Sequence, residues 1–150
     1  MKPIETVLLA VDFSDYSTPA AEYAVMLAET FKASLTVVHI INDPVDLRGF
    51  YVPQLAFDQL EKEIEAGAHA MMNRFCEKHL AGARTVKTVI ASGLPYEEIN
   101  RVAEEEKASF IVIGTHGRTG LDHLIFGSTA ERVVRGAPCP VLTVRLAEKA

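Results

Sequence analysis

No apolar run in this sequence approaches the roughly 20 residues that a membrane-spanning helix requires, so the chain is expected to lack a membrane span. The opening segment MKPIETVLLAVDFSD has a short apolar run with Glu5 before it and Asp12 after it; this reads as a buried strand rather than a signal segment. Cysteine is scarce. Cys76 and Cys139 stand far apart with no metal-ligand spacing, which excludes a disulfide framework or a zinc module and suits reduced thiols in the cytoplasm. A basic face is missing too, because 15 Lys and Arg are set against 20 Asp and Glu for a net charge of −5, with both signs mixed along the chain. Such a surface repels nucleic acid, so a bound phosphate must be held by a local site. Neither GxxxxGK[ST] nor a GxGxxG after the first strand occurs, which argues against P-loop and dinucleotide-binding sites. Repeats, linkers and low-complexity stretches are absent as well, so residues 1–150 are expected to form one domain.

What is present is the composition of a folded protein, 49% hydrophobic and 23% charged. Thr6–Val11 (TVLLAV) is apolar without alternation, the mark of a parallel strand covered on both faces. Thr18 is a candidate N-cap with Pro19 at the first helical position. Ala20, Tyr23, Ala24, Leu27, Ala28 and Phe31 follow at the spacing of one helical face. A second buried strand runs Ser34–Ile41. Residues 42–54 carry two prolines, a glycine and no period, so they read as a loop; they are the expected place for partner specificity. A long helix, Leu55–His79, has Leu60, Ile64, Ala68, Met71 and Phe75 as its inward stripe. Thr85–Ala91 reads as an edge strand, ended by Gly93-Leu94-Pro95 and followed by a helix with Tyr96, Ile99 and Ala103 on one face. Ser109–Ile113 is the fourth strand, then a glycine-rich segment, a short helix at Thr129–Arg135, and a last strand at Pro140–Arg145. Strands alternating with helices give an α/β fold, a doubly wound five-stranded parallel sheet with helices on both faces.

Ligands in such sheets bind beyond the carboxyl ends of the strands, where strand order reverses. Two segments at strand ends are unusual. Ala10-Val11-Asp12-Phe13-Ser14 closes the first strand. Gly114-Thr115-His116-Gly117-Arg118-Thr119-Gly120 closes the fourth, with Gly127-Ser128-Thr129 beyond it. Glycines let backbone approach a ligand closely, and the first N–H groups of the helix after Gly127 favour a phosphate. Ser128-Thr129-Ala130-Glu131 is equally a capping box, with Ser128 as the cap and Glu131 reaching back. Spacing alone leaves both readings open.

Gly114-x2-Gly117-x9-Gly127-Ser128, with VLLAVDFS, VVHII, IVIGTHGRTG and GSTAERVVRGAPCPVLTV in order along the chain, resembles the ATP-binding branch of the universal stress proteins. The resemblance spans nearly the whole sequence, least clearly in residues 42–60. It implies a sheet order of 3-2-1-4-5. It places Asp12 near the adenosine, Ala10 and Val11 beside the base, and the Ile40 backbone on the adenine. Ile113 and Gly114 would line the ribose and phosphate path. Gly117, Gly127, Ser128 and Thr129 would hold the phosphates of ATP, bridged by Mg²⁺ or Mn²⁺. It also implies a homodimer formed by antiparallel pairing of the edge strand at Val141–Arg145.

Single residues carry plainer readings beside these. Asp12 would cap the turn after its strand. His39 would be a satisfied core or rim histidine, and His116 a structural one. Ser14 has no base near it by spacing, Cys139 is a buried loop residue, Met71-Met72 is core, and Glu104-Glu105-Glu106-Lys107 is a solvated helix end. With a nucleotide cradle but no evident catalytic base, acid or lysine clamp, the expected function is a nucleotide-dependent sensor or regulator read by an unknown protein partner. A slow ATPase or phosphotransferase with Ser128 or Thr129 as acceptor, and a nucleotide-free interaction or chaperone-like protein, are the alternatives.

Overall fold

A computed structural model describes residues 2–42, 54–116 and 126–146. The first strand, β1 (Thr6–Ala10), is followed by α1 (Ser17–Phe31), β2 (Ser34–Asn42), α2 (Gln54–His79), β3 (Val86–Gly93), α3 (Pro95–Glu105), β4 (Phe110–Gly114), α4 (Ser128–Gly136) and β5 (Val141–Val144). The strands form one five-stranded sheet in the order β3-β2-β1-β4-β5, and every pair is parallel. The order implied by the resemblance is the order found. Order reverses between β1 and β4, where Ala10 lies opposite Val38 of β2 on one side and Ile113 of β4 on the other.

The unbroken apolar run of β1 is explained by its two covered faces. Val7, Leu9 and Val11 pack with Ala20, Ala21, Ala24 and Ala28 of α1 and with Met72 and Phe75 of α2. Leu8 and Ala10 point the other way, into a second cluster with Ile99, Val102 and Ala103 of α3 and Ala130 and Val133 of α4. Period-two alternation thus feeds two cores, one on each face of the sheet.

Helix faces and starts depart from the sequence expectation in several places. α1 begins at Ser17, with Tyr16 as its N-cap residue, so Thr18 and Pro19 are its second and third residues. Pro19 is tolerated there because the first helical N–H groups have no intrahelical acceptor. Small residues form its buried face, and Tyr23 and Phe31 are each 46% exposed. A face of alanines lets α1 approach the sheet closely, which pushes larger side chains to its flanks. In α2, Ala68, Met72 and Phe75 are buried while Leu60, Ile64 and Met71 are exposed. The capping box is not formed: Gly127 is the N-cap residue with no side-chain cap bond, and Glu131 instead pairs with Arg135 at 2.8 Å. Asn42 ends β2 and Gln54 begins α2; the remainder of the expected loop at 42–54 lies outside the described residues.

Candidate functional site

The turn after β1 is built around Asp12. Its Oδ1 accepts from the Ser14 N–H (3.0 Å), the Ser14 hydroxyl (2.6 Å) and the Ser17 hydroxyl (3.0 Å). The Asp12 N–H in turn donates to Ser17 Oγ at 3.1 Å. Between them Phe13 takes a left-handed conformation, φ 65°, which costs about 1–2 kcal/mol for a residue with a Cβ. Its ring is compensated by packing on His39 at 4.4 Å and Phe75 at 5.9 Å. Asp12 therefore holds the turn, as the plainer reading expected.

His39, buried in the second half of β2, has Nδ1 2.8 Å from the Val11 carbonyl oxygen. A carbonyl only accepts, so this contact places a proton on Nδ1. The histidine thereby ties the ends of β1 and β2 together. At the end of β4, Gly114 is required by packing: a Cβ there would stand 2.9 Å from the Tyr16 carbonyl oxygen. Thr115 is buried, donates its N–H to the Val144 carbonyl (3.0 Å) and accepts the Gly127 N–H on its own carbonyl (2.6 Å). That last bond fixes the start of α4 against the end of β4. The first N–H with an intrahelical acceptor is that of Glu131, bonded to the Gly127 carbonyl at 3.1 Å. The N–H groups of Ser128, Thr129 and Ala130 precede it and make an anion-favouring turn.

These strand ends and helix starts surround one cavity of about 720 Å³, a size ordinary for a small-molecule site. Ala10, Val11, Asp12, Ile40, Ile113, Gly114, Gly127, Ser128 and Thr129 all line it. Gly117 lies outside the described residues, as do Arg118, Thr119 and Gly120. Since β2 and β4 flank β1, the cavity runs across the end of β1. Its β2 side carries the apolar Ile40, Ile64, Ala68, Met71 and Leu94 beside the polar His39 and Asn42, whereas its β4 side carries Thr115, Ser128, Thr129 and Arg132.

Sequence reasoning missed three parts of this lining. The exposed residues of α2, Ile64, Gly67 and Met71, face the cavity together with Ala68. Ile64, Ala68 and Met71 belong to the stripe that helical spacing assigns to the core, and Gly67 lies outside that stripe. Tyr96, the second residue of α3, reads from the sequence only as part of a packing face. Arg132 lies in the helix beyond the glycine segment, where an arginine by itself signals only a solvated helix face. Among the described residues no group of three or more His, Cys, Asp or Glu could hold a metal, and no helix is long and apolar enough to cross a membrane.

A model of the universal stress protein family matches residues 3–145. Universal stress protein YxiE of Bacillus subtilis is 33% identical over 144 residues, 93% of this chain and 97% of its own length. The solved universal stress protein UspA from Lactobacillus plantarum has a TM-score of 0.77 at 28% identity, over 97% of this chain and 100% of that one. A universal stress protein solved in complex with cAMP has a TM-score of 0.72 at 21% identity, over 96% of this chain and 98% of that one.

Proposed function

This chain belongs to the universal stress protein family, and we propose that it binds ATP and serves, as one domain, as a nucleotide-dependent sensor in the cytoplasm. The supporting observation is the cavity at the strand-order reversal. It offers a largely apolar β2 side with His39 and Asn42 at hand for a base, and a helix N-terminus with two hydroxyls on the β4 side, suited to phosphates. In this reading the base lies by Ala10, Val11 and the Ile40 backbone, with Asp12 near the adenosine. Ile113 and Gly114 line the ribose and phosphate path, and Gly117, Ser128 and Thr129 hold the phosphates, with Gly127 at the helix start beside them. The Gly127 N–H is engaged with Thr115, so Gly127 contributes by fixing the helix start rather than by donating to phosphate. The cAMP complex of a protein with the same fold supports an adenine ligand.

The donor set suits a divalent ion that travels with the phosphates. The only carboxylate among the described lining residues is Asp12, whose Oδ1 already accepts three bonds. Mg²⁺ commonly binds through substrate phosphates and water with few protein ligands; here Ser128 and Thr129 are the hydroxyls beside it. Such an ion would neutralise charge on the phosphates.

Identification by mass spectrometry of nucleotide released from the gently purified, then denatured protein tests the reading, with calorimetry of ATP binding in Mg²⁺ beside it. A stoichiometric adenine nucleotide, or saturable ATP binding without phosphate release, is the expected result. No released nucleotide and no binding heat would overturn it.

A homodimer through β5 belongs to the same proposal. Among the described residues β5 pairs with β4 on one side only. The Pro140 and Val144 carbonyls accept from Ile111 and Thr115, so parallel-ladder alternation turns the Val141 and Thr143 backbone groups to the open edge. A second copy pairing there would cover an edge that otherwise invites aggregation.

A further inference from the structure

We propose that Arg132 selects nucleotides with two or more phosphates over those with one or none, a role that rests on the adenine-nucleotide reading above. Arg132 is the only lysine or arginine among the described residues that line the cavity. It follows Ser128 by four residues and Thr129 by three on α4, so the three share one helix face. Helical side chains lean toward the N-terminus of their helix, which carries the guanidinium back over the first turn. A single phosphate is met by the N–H groups and hydroxyls of that turn. A second or third extends from it into the reach of the guanidinium.

The arginines nearby show why this one is available. Arg101 is clamped by Glu98 at 2.7 Å and Glu105 at 2.6 Å, and Arg135 pairs with Glu131 at 2.8 Å. Arg132 makes no ion pair among the described residues. Its guanidinium rests over the ring of Tyr96, 5.1 Å from the centroid, and Tyr96 lines the same cavity. An exposed cation–π contact is weak beside paired, charge-assisted bonds to phosphate oxygens. Tyr96 thus parks the guanidinium at the cavity wall, and a polyphosphate draws it away at little cost. Arg132 also lines a groove between α3 and α4 with Arg101 and Arg135, so its side chain has open space in which to move.

The test is calorimetric titration of adenosine, AMP, ADP and ATP into wild type, Arg132→Gln, Arg132→Lys and Arg135→Gln, with and without Mg²⁺. Arg132→Gln is expected to weaken ADP and ATP about ten- to thirtyfold and adenosine less than about twofold. Arg132→Lys should recover part of the loss, since a point charge replaces a fork. Arg135→Gln, which alters net charge equally from outside the cavity, should change none of the four. An equal loss across the series, no loss for ADP and ATP, or the same loss in Arg135→Gln would overturn the assignment. Wild type binding none of the four, adenosine included, would instead overturn the adenine reading and this role with it.

Discussion

Gly67 is a glycine in mid-helix where no turn requires one, and a Cβ built there meets nothing within 4 Å. The open space is the cavity. Gly67→Ala should therefore stabilise the fold by about 0.5–1 kcal/mol, as seen in chemical denaturation, because glycine is the poorer helix former. Gly67→Phe should leave the melting temperature no lower than wild type yet cut ATP affinity more than about tenfold in calorimetry; intact affinity would remove α2 from the site. Asp12 behaves differently. Asp12→Ala takes away an oxygen that accepts three bonds and should destabilise by about 1–3 kcal/mol in urea unfolding. Asp12→Asn keeps Oδ1 and should recover most of that, so it is the cleaner variant for asking whether the carboxylate meets a ligand. The thiols are quiet by the same local logic: burial pushes both Cys76 and Cys139 up, only partly opposed at Cys139 by a hydrogen bond with the Ile111 backbone. Both should react slowly with a thiol reagent at neutral pH and quickly once the chain is unfolded.

At the scale of elements, α2 shows what could be read beforehand. Its length was legible, and so was a stripe at helical spacing. The stripe merges two faces: Met72 and Phe75 enter the core, while Ile64 and Met71 border the cavity. Hydrophobicity records removal from bulk water and does not distinguish a core from a ligand pocket. The same ambiguity hid the start of α4, where Ser128 and Glu131 fit a capping box by type but Gly127 takes the N-cap position. The inner strands β1, β2 and β4 are legible almost to the residue, because a parallel strand covered on both faces leaves an unbroken apolar run. Sheet order came through the resemblance, since no local pattern fixes which strands become neighbours, and so did Ile40 and Ile113 of the lining, whereas Asp12, Gly114 and Gly127-Ser128-Thr129 stand out as unusual segments at strand ends. The end of α2 also sets a pH response. Burial, with Lys78 beside it, holds the His79 imidazole below its ordinary value of 6.5, against a smaller upward pull from Glu22. Below that value the unfolded chain binds the extra proton more readily than the folded one. The stability linked to His79 is thus complete above about pH 6.5 and is lost as pH falls through the lower folded value. His79→Gln should flatten that part of the stability–pH curve, measured by thermal melts across the range.

Across the whole molecule, the sheet separates two cores, and the cavity touches the helices of both: α2 from one, α3 and α4 from the other. A ligand there ties the two faces together. ATP at about a hundred times its dissociation constant should raise stability by about 2.7 kcal/mol, and hydrogen exchange should slow in α2 and α4 alike; slowing in only one would break the picture of a shared site. Assembly is tested on the same scale by Thr143→Pro, which removes an outward N–H from β5 while sparing the ladder to β4. It should yield a folded monomer by sedimentation, since proline is tolerated on an edge, and a dimer that persists would place the interface elsewhere. The division of labour within the cavity has a further consequence. Its floor is made by strand ends that folding cannot do without, but its α2 wall is made by Ile64, Gly67 and Met71, residues that neither core includes. Random mutation can therefore wander over that wall without unfolding the protein, so new ligand preferences are within reach of single substitutions, and a library confined to those three positions would sample them on a constant scaffold.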